Sequence, residues 1–115
     1  MTDCIFCRIV AREIPAREVG RSEAAVAFHD LNPQAPVHVL VVPTRHLANA
    51  AEADSEAGER VLGSLLRFAV GVARQLGLAE GGYRLVLNTG PDGGQSVGHL
   101  HVHLLGGRRM LWPPG

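Results

Sequence analysis

Histidine alternates with apolar residues near the end of the chain, from His99 to Leu104. Successive side chains of a strand point to opposite faces, so this alternation predicts a strand with its histidines in a row on one face. A helix would scatter the imidazoles around its circumference, which favours the strand. The histidine row is His99, His101 and His103, and the apolar residues directed into a core are Leu100, Val102 and Leu104.

The other apolar patterns predict a short helix, a long helix and four more strands. The short helix covers about residues 4–11, and a stripe of helical spacing from Val61 to Leu76 marks the long helix, which Gly77 ends. Apolar and β-branched runs predict strands at residues 17–19, 24–29, 37–42 and 83–87. Elements segregated in this order predict an α+β fold, with about five mainly antiparallel strands and the long helix on one face.

The size and charge of the chain narrow the possible functions. Its 115 residues are expected to form a single domain that spans 1–115. The 11 basic residues, all arginine, balance 11 acidic residues, so no net charge favours nucleic acid or an anionic membrane as a partner. No apolar run approaches a membrane span, and the first residues lack the basic leader and long apolar segment of a signal peptide. We therefore expect a cytoplasmic protein with reduced cysteines.

The histidine row is the main candidate for chemistry, since three imidazoles suit metal binding, acid–base catalysis or nucleophilic catalysis. A zinc site built from the whole row is a weaker interpretation, because alternate residues of one strand rarely all reach one ion. A glycine-rich turn at residues 91–96 precedes the row, and its backbone N–H groups with the Ser96 hydroxyl suit a phosphate oxyanion. His38 is either a core histidine or a cross-strand partner of the row.

Four stretches of the chain together point to a family. They are His-x-His-x-His at residues 99–103, Phe-His-Asp at 28–30 with Pro-Gln-Ala-Pro-Val-His at 33–38, Asn-x-Gly at 88–90 with Asp-Gly-Gly-Gln-Ser at 92–96, and Leu-Gly-Gly-Arg at 105–108 running to Trp-Pro-Pro-Gly at 112–115. On these motifs the chain resembles the histidine triad (HIT) family, in its branch of nucleoside phosphoramidases. The resemblance covers essentially the whole chain and implies a HIT-like fold.

The resemblance implies hydrolysis of nucleoside 5′-phosphoramidates in two steps. His101 corresponds to the nucleophile, which attacks the α-phosphorus and forms a nucleotidyl-histidine that water then hydrolyses. His103 corresponds to a partner that contacts phosphate and handles protons, and His38 to the residue that orients the far nitrogen of the nucleophile. Ser96 corresponds to a contact of the phosphate and the leaving group.

The resemblance also implies a nucleotide pocket for a purine nucleotide or a nucleoside phosphoramidate. Asp30 is expected to accept hydrogen bonds from the ribose hydroxyls, with Leu31 packed near the sugar. The other implied contacts are Asn88 for sugar or phosphate, the backbone of Gly94 and Gln95 for phosphate, and Phe6, Ile9 and Phe28 for the base. Ordinary core packing explains Ile9 equally well. An apolar base pocket does not rank purines over pyrimidines.

Cys4 and Cys7 form a Cys-x-x-Cys pair, which supplies half of a tetrahedral zinc site. By resemblance to zinc-bearing bacterial members of the family, His46 and His99 complete the ligand set. The zinc is expected to be structural, since other members lack these cysteines. A redox pair is less favoured because no βαβ pattern follows, and two inert buried cysteines are the remaining alternative.

The resemblance implies a homodimer as well, with the two sheets joined edge to edge and segment 108–115 approaching the active site of the partner. Three other functions stay open at this point. The first is hydrolysis of dinucleoside polyphosphates or nucleotidyl transfer, and the second is a nucleotide-binding regulatory module with incidental catalysis. The third is a metal-binding protein that uses His101 and His103 as ligands.

Overall fold

The computed structural model describes residues 3–115. In chain order the elements are helix α1 (Ile5–Val10), strands β1 (Glu18–Arg21), β2 (Ala25–His29) and β3 (Val37–Pro43), a 3₁₀ helix (Ala50–Glu52), helix α2 (Glu56–Gln75), and strands β4 (Tyr83–Val86) and β5 (Val102–Gly106). The expectation about the first residues falls partly on Met1 and Thr2, which lie outside the described residues. Within the described part, no helix combines the length and apolar character needed to cross a membrane.

The strands form one sheet in the order β1-β2-β3-β5-β4, and all neighbouring pairs are antiparallel. Because β3 and β4 both pair with β5, they run parallel to each other on its two sides. The long connection through α2 makes this arrangement possible, since it carries the chain past the position that β5 fills later. The predicted α+β fold with five antiparallel strands, one long helix and a short N-terminal helix is confirmed.

Each face of the sheet is covered by one helix. Helix α2 packs residues such as Leu65 on one face, in a core that includes Val41 of β3. Helix α1 places Phe6 and Ile9 on the other face, against Leu40 of β3 and residues of β2. Burial on both faces explains why β3 is an almost continuous apolar run instead of an alternating one.

Strand β5 begins at Val102, three residues later than the alternation predicts. Its pairing with β3 starts at Val102, while the backbone N–H of Leu100 donates to the carbonyl of Leu47 at 2.6 Å. Leu47 lies in the loop after β3, so the segment from His99 to His101 follows that loop instead of the sheet ladder. The predicted start of this strand is therefore wrong, whereas the bounds of the other strands and of α1 fall within two residues of those predicted.

The predicted alternation of faces holds across the histidine row, although two of its three histidines lie outside the strand. The three apolar residues lie in the α2 core; they are Leu100, Val102 and Leu104. The rings of His99 and His101 instead contact Phe6 of α1, and the His101 ring contacts that of His103. All three imidazoles thus lie on the α1 face of the sheet.

Helix α2 begins at a serine cap beside a tightly packed glycine. The Ser55 hydroxyl accepts the N–H of Gly58 at 3.0 Å. A Cβ on Gly58 would lie 2.5 Å from the Cα of Ala53, which is too close for two carbon atoms that are not bonded to each other. Gly63 lies in the same helix, but a Cβ there would meet nothing within 4 Å.

We therefore expect one substitution to have opposite effects at two positions of α2. Gly58→Ala should lower the free energy of unfolding by about 1–3 kcal/mol, because the new methyl collides with backbone atoms that cannot rotate away. Gly63→Ala should raise it by up to about 1 kcal/mol, since alanine is the better helix former. Urea unfolding of both variants measures the two changes. A shift of the same sign in both would contradict this account of the helix start.

Candidate active site and metal centre

A pocket of about 250 Å³ opens on the α1 face of the sheet. Four polar residues predicted for the nucleotide site line it, namely Asp30, Ser96, His101 and His103. Four apolar residues predicted for the same site line it as well, namely Phe6, Ile9, Phe28 and Leu31. An apolar compartment with a few convergent polar groups is typical of a small-molecule site.

His101 is oriented by its own backbone. Its Nδ1 lies 2.7 Å from the carbonyl oxygen of His99, and because a carbonyl only accepts, Nδ1 carries the proton. The lone pair of the neutral ring is then on Nε2. The residue is only 3% exposed, and the edge of Phe6 packs against it with ring centroids 5.2 Å apart. A buried imidazole with a fixed tautomer at the wall of a pocket is suited to nucleophilic attack.

A chain of hydrogen bonds ends at His103. The backbone N–H of Gln34 donates to His38 Nδ1 at 3.0 Å, so the proton of a neutral His38 is on Nε2. This Nε2 lies 2.9 Å from His103 Nδ1 and donates to it. A neutral His103 therefore carries its own proton on Nε2, where the N–H can donate to an oxyanion in the pocket.

The predicted role of His38 as the orienting partner of the nucleophile is wrong. Leu40 lies opposite His103 in the register of β3 and β5. His38 is two residues along β3 from Leu40, which makes it a diagonal neighbour of His103 on the same face. The carbonyl of His99 orients His101 instead.

Burial keeps the paired histidines neutral. It lowers the pKa of His103 to about 4, helped by His101 and His38 and opposed by Asp30. Burial also lowers the pKa of His38, again against the opposing charge of Asp30, whose Oδ2 lies 3.4 Å from His38 Nε2. Both rings are therefore uncharged near pH 7, which is the state that the hydrogen-bond chain requires.

The same contacts argue against a metal in this part of the site. Asp30, His38 and His103 bring three possible ligand atoms within 4.8 Å of one another. A metal would need a lone pair on His38 Nε2, but the Gln34 N–H at Nδ1 places the proton on Nε2. The hydrogen-bonded network therefore fits Asp30, His38 and His103 better than a metal does.

The glycine-rich loop forms hydrogen bonds with its own backbone. The N–H of Gly94 donates to the Pro91 carbonyl at 3.0 Å, and the N–H of Gln95 donates to the Gly90 carbonyl at 3.1 Å. Both groups are thus engaged inside the loop, and their contact with phosphate stays a prediction. The side chain of Gln95 also braces the loop, since its Nε2 donates to the carbonyl of Ala48 at 2.6 Å.

Of the remaining residues predicted to contact the nucleotide, three line the pocket and one does not. Ser96 is the member of the loop motif that reaches the pocket beside the histidines. Asp30 accepts the N–H of Asn32 through Oδ1 at 2.8 Å and still lines the pocket. Leu31 lies at the rim and is 96% exposed. Asn88 follows β4 and is not among the described residues that line the pocket.

The four predicted zinc ligands lie together beside this pocket. Cys4, Cys7, His46 and His99 bring one ligand atom each within 4.8 Å of one another. From His99 Nδ1 the distances are 3.3 Å to Cys4 Sγ, 3.5 Å to Cys7 Sγ and 3.0 Å to His46 Nδ1. Tetrahedral zinc with its usual bond lengths gives ligand–ligand distances of about 3.3–3.8 Å. The cluster is therefore compatible with zinc.

The tautomer of His99 fits a metal ligand. Its Nε2 lies 3.0 Å from the carbonyl oxygen of Pro43 and donates to it, so the lone pair is on Nδ1, the atom beside the cysteines. A ligating histidine usually donates its other N–H in this way. Burial lowers the pKa of His99, which favours the neutral ring that a metal needs. The backbone N–H of Cys7 also donates to Cys4 Sγ at 3.4 Å.

Sequence reasoning missed part of the pocket wall. The missed residues are Ile5, Pro15, Ala16, Arg17, His29, Leu40 and Val97. Leu40 could have been found, because it alternates with His38 along β3 and so shares its face. Residues 15–17 come from the connection between α1 and β1, whose path leaves no periodic signal in the sequence.

Known proteins share the sequence and fold of this chain along almost all of its length. The sequence profile of the HIT domain matches residues 11–110. A 14 kDa zinc-binding protein of Zea mays is 52% identical over 113 residues, with 96% of this chain and 87% of the relative covered. Adenylylsulfatase HINT1 of Arabidopsis thaliana is 49% identical over 114 residues, with 96% and 76% covered.

Solved structures agree with the sequence relatives. The crystal structure of a HIT family hydrolase from Legionella pneumophila superposes with a TM-score of 0.94 at 45% identity, and covers 98% of this chain and 100% of its own. A histidine triad protein from Clostridium difficile superposes with a TM-score of 0.92 at 37% identity, with 96% of each chain covered. The chain therefore belongs to the HIT domain family.

Proposed function

We propose that this protein hydrolyses nucleotides at the α-phosphorus, and that its substrates are nucleoside 5′-phosphoramidates, such as AMP joined to an amine or to lysine. The observation that carries the proposal is the tautomer of His101. Its Nδ1 proton is held by a carbonyl at 2.7 Å, so Nε2 keeps a lone pair. Ser96 and His103 line the same pocket and can donate to the phosphate.

In the first step, His101 Nε2 forms a bond to phosphorus while the P–N bond to the amine breaks. The amine leaves with the electron pair of that bond and takes a proton that reaches it from water through the Ser96 hydroxyl. The imidazole ring becomes cationic when Nε2 is bonded to phosphorus, and the carbonyl of His99 then stabilises the Nδ1–H more strongly. Water next attacks phosphorus, which releases the nucleoside monophosphate, a proton and neutral His101.

The apolar residues of the pocket suit a nucleoside. Phe6 and Phe28 meet edge to face with ring centroids 5.6 Å apart and give the base an apolar wall. Asp30 also lines the pocket, and its carboxylate is a strong acceptor for the hydroxyls of a ribose. A purine nucleotide or its phosphoramidate is the ligand class that these residues support.

A second leaving group is supported by a relative. The relative from Arabidopsis thaliana is named an adenylylsulfatase, which points to adenylyl sulfate as a substrate and to sulfate as its leaving group. The same nucleotidyl-histidine serves both reactions, because only the bond opposite to His101 Nε2 differs. The two candidates therefore share a nucleophile and separate on the leaving group alone.

We propose that the cluster of Cys4, Cys7, His46 and His99 holds a structural zinc ion in a cytoplasmic protein. Two sulfur and two imidazole ligands are a common set for structural zinc, and the relative from Zea mays is named a zinc-binding protein. A reducing cytoplasm keeps both thiols available to a metal. Bound zinc would tie α1 to the loop after β3 and to the histidine segment.

We propose a homodimer that forms at the β4 edge of the sheet. Strand β4 has no neighbour on its outer side among the described residues. Arg84 of β4 donates to the carbonyl of Leu111 at 2.9 Å, which holds the C-terminal segment at this edge. Leu111 and Trp112 are 73% and 81% exposed there, and a second copy of the chain would bury them.

The nucleophile is tested by turnover of an adenosine phosphoramidate. His101→Ala should lower kcat/KM by at least about 10³-fold, because the attacking atom is removed. His29→Ala, another histidine of the same wall, is the matched control and should lose less than about tenfold, since it forms no bond to phosphorus. Comparable turnover by His101→Ala would remove this residue from the mechanism.

Substrate choice is read in the same assay with wild-type protein. We expect faster turnover of the phosphoramidate than of adenylyl sulfate, and the reverse order would favour the second candidate. Tight AMP binding with no turnover of either compound would mean a nucleotide-binding regulatory module instead of an enzyme.

The zinc site is tested by elemental analysis. Wild type should contain about one zinc ion per chain, and Cys4→Ser/Cys7→Ser close to none. The melting temperature of the double variant should fall by about 10 °C or more, because metal binding energy is also folding energy. His103→Gln should keep its zinc. Equal zinc in wild type and the cysteine variant would rule out this ligand set, and loss of zinc in His103→Gln would favour a metal on the histidine row.

The dimer is tested by sedimentation equilibrium. Wild type should sediment at twice the chain mass of 12.2 kDa. Trp112→Ala should weaken self-association, since it removes a large exposed apolar side chain from the proposed interface. Arg12 lies near β1, at the opposite edge of the sheet from β4, so Arg12→Ala should leave self-association unchanged. A wild-type mass of one chain at micromolar concentration would contradict the proposal.

A further inference from the structure

Phe6 joins the metal cluster to the pocket. It lies in α1 between the two cysteines and lines the apolar wall of the pocket. Its ring meets His99 with centroids 5.9 Å apart and His101 with centroids 5.2 Å apart, both edge to face. One side chain thus contacts a predicted metal ligand, the predicted nucleophile and the space for the base.

The segment from His99 to His101 makes a second connection. The ring of His99 belongs to the metal cluster, while its carbonyl accepts the Nδ1–H of His101 at 2.7 Å. The ring and the carbonyl are both attached at the Cα of His99, so a shift of this Cα moves the predicted metal ligand and the acceptor that orients the nucleophile together. The two sites therefore share main-chain atoms as well as a packed ring.

Helix α1 is too short to hold its own position. It has six residues, whereas isolated helices shorter than about 12 residues are marginal in water. Its place on the sheet depends on the packing of Phe6 and Ile9 and on whatever Cys4 and Cys7 bind. Helix α1 is therefore an element whose order both a metal and a nucleotide can influence.

From these contacts we infer that the Cys4, Cys7, His46 and His99 centre and the nucleotide pocket are thermodynamically coupled, so that zinc and nucleotide each raise the affinity for the other. This inference rests on the proposed function. Zinc bound at the cysteines orders α1 and the His99–His101 segment before the nucleotide arrives, which spares the nucleotide that ordering cost. Linkage requires the reverse effect to have the same size.

The coupling is measured as zinc affinity, independently of turnover. Wild-type protein competes with a chromophoric chelator for zinc in the absence of nucleotide, with saturating AMP, and with the same concentration of inorganic phosphate. We expect AMP to raise the affinity for zinc at least about fivefold. Phosphate should leave it unchanged, because it does not fill the apolar wall beside Phe6. Equal affinity with and without AMP overturns the coupling.

Two variants in α1 test whether the coupling between the two sites runs through Phe6. Phe6→Leu should bring the AMP effect on zinc affinity close to onefold when AMP saturates the variant, because the ring that bridges the two sites is lost. Arg8→Ala lies on the exposed side of the same helix and should keep the wild-type factor. A full AMP effect in Phe6→Leu, or its loss in Arg8→Ala, overturns the path through Phe6.

Failure of the coupling can be told apart from failure of the proposed function. Calorimetry of AMP binding to the zinc-loaded wild type reports the function separately. Absence of AMP binding contradicts the nucleotide pocket itself, whereas AMP binding without any change in zinc affinity contradicts only the coupling. Apo protein that binds AMP more weakly, by the factor measured for zinc, supports the coupling from the other side.

Discussion

Two backbone carbonyls organise the chemistry of this protein. The Pro43 carbonyl accepts the Nε2–H of His99, and the His99 carbonyl accepts the Nδ1–H of His101. These bonds leave the lone pair of His99 beside the cysteines and the lone pair of His101 on its opposite nitrogen. Because both acceptors belong to the main chain, they depend on the path of the fold and not on the identity of a neighbouring side chain.

Three histidines of one motif thereby acquire three different environments. The ring of His99 faces sulfur ligands, the ring of His101 keeps a lone pair at the pocket, and the Nδ1 of His103 accepts a hydrogen bond from His38. Burial lowers the pKa of His103 to about 4, so the ring of His103 stays neutral well below pH 7. Side chains of one type are distinguished here by their hydrogen-bond partners alone.

The sequence predicts which residues share a face much better than which atoms meet. Alternation along the motif places the histidines of the row together, and the Cys-x-x-Cys pair with its family resemblance identifies the four clustered ligands. The partner of His38 depends on a diagonal contact between strands, and the register that sets it is not visible in either strand. The hydrogen bonds that the amides of Gly94 and Gln95 make inside their loop are hidden for a similar reason, since such bonds leave no composition signal.

The shorter of the two α-helices, α1, covers the candidate active site. Helix α2 has 20 residues and a large apolar core, so it can hold the sheet without help from a ligand. Helix α1 has six residues and a smaller cluster around Phe6, yet it forms the wall that faces the histidines. Stability and adaptability are thus separated onto the two faces of one sheet. The stable face fixes the strand that carries His103, and the other face can respond to what binds there.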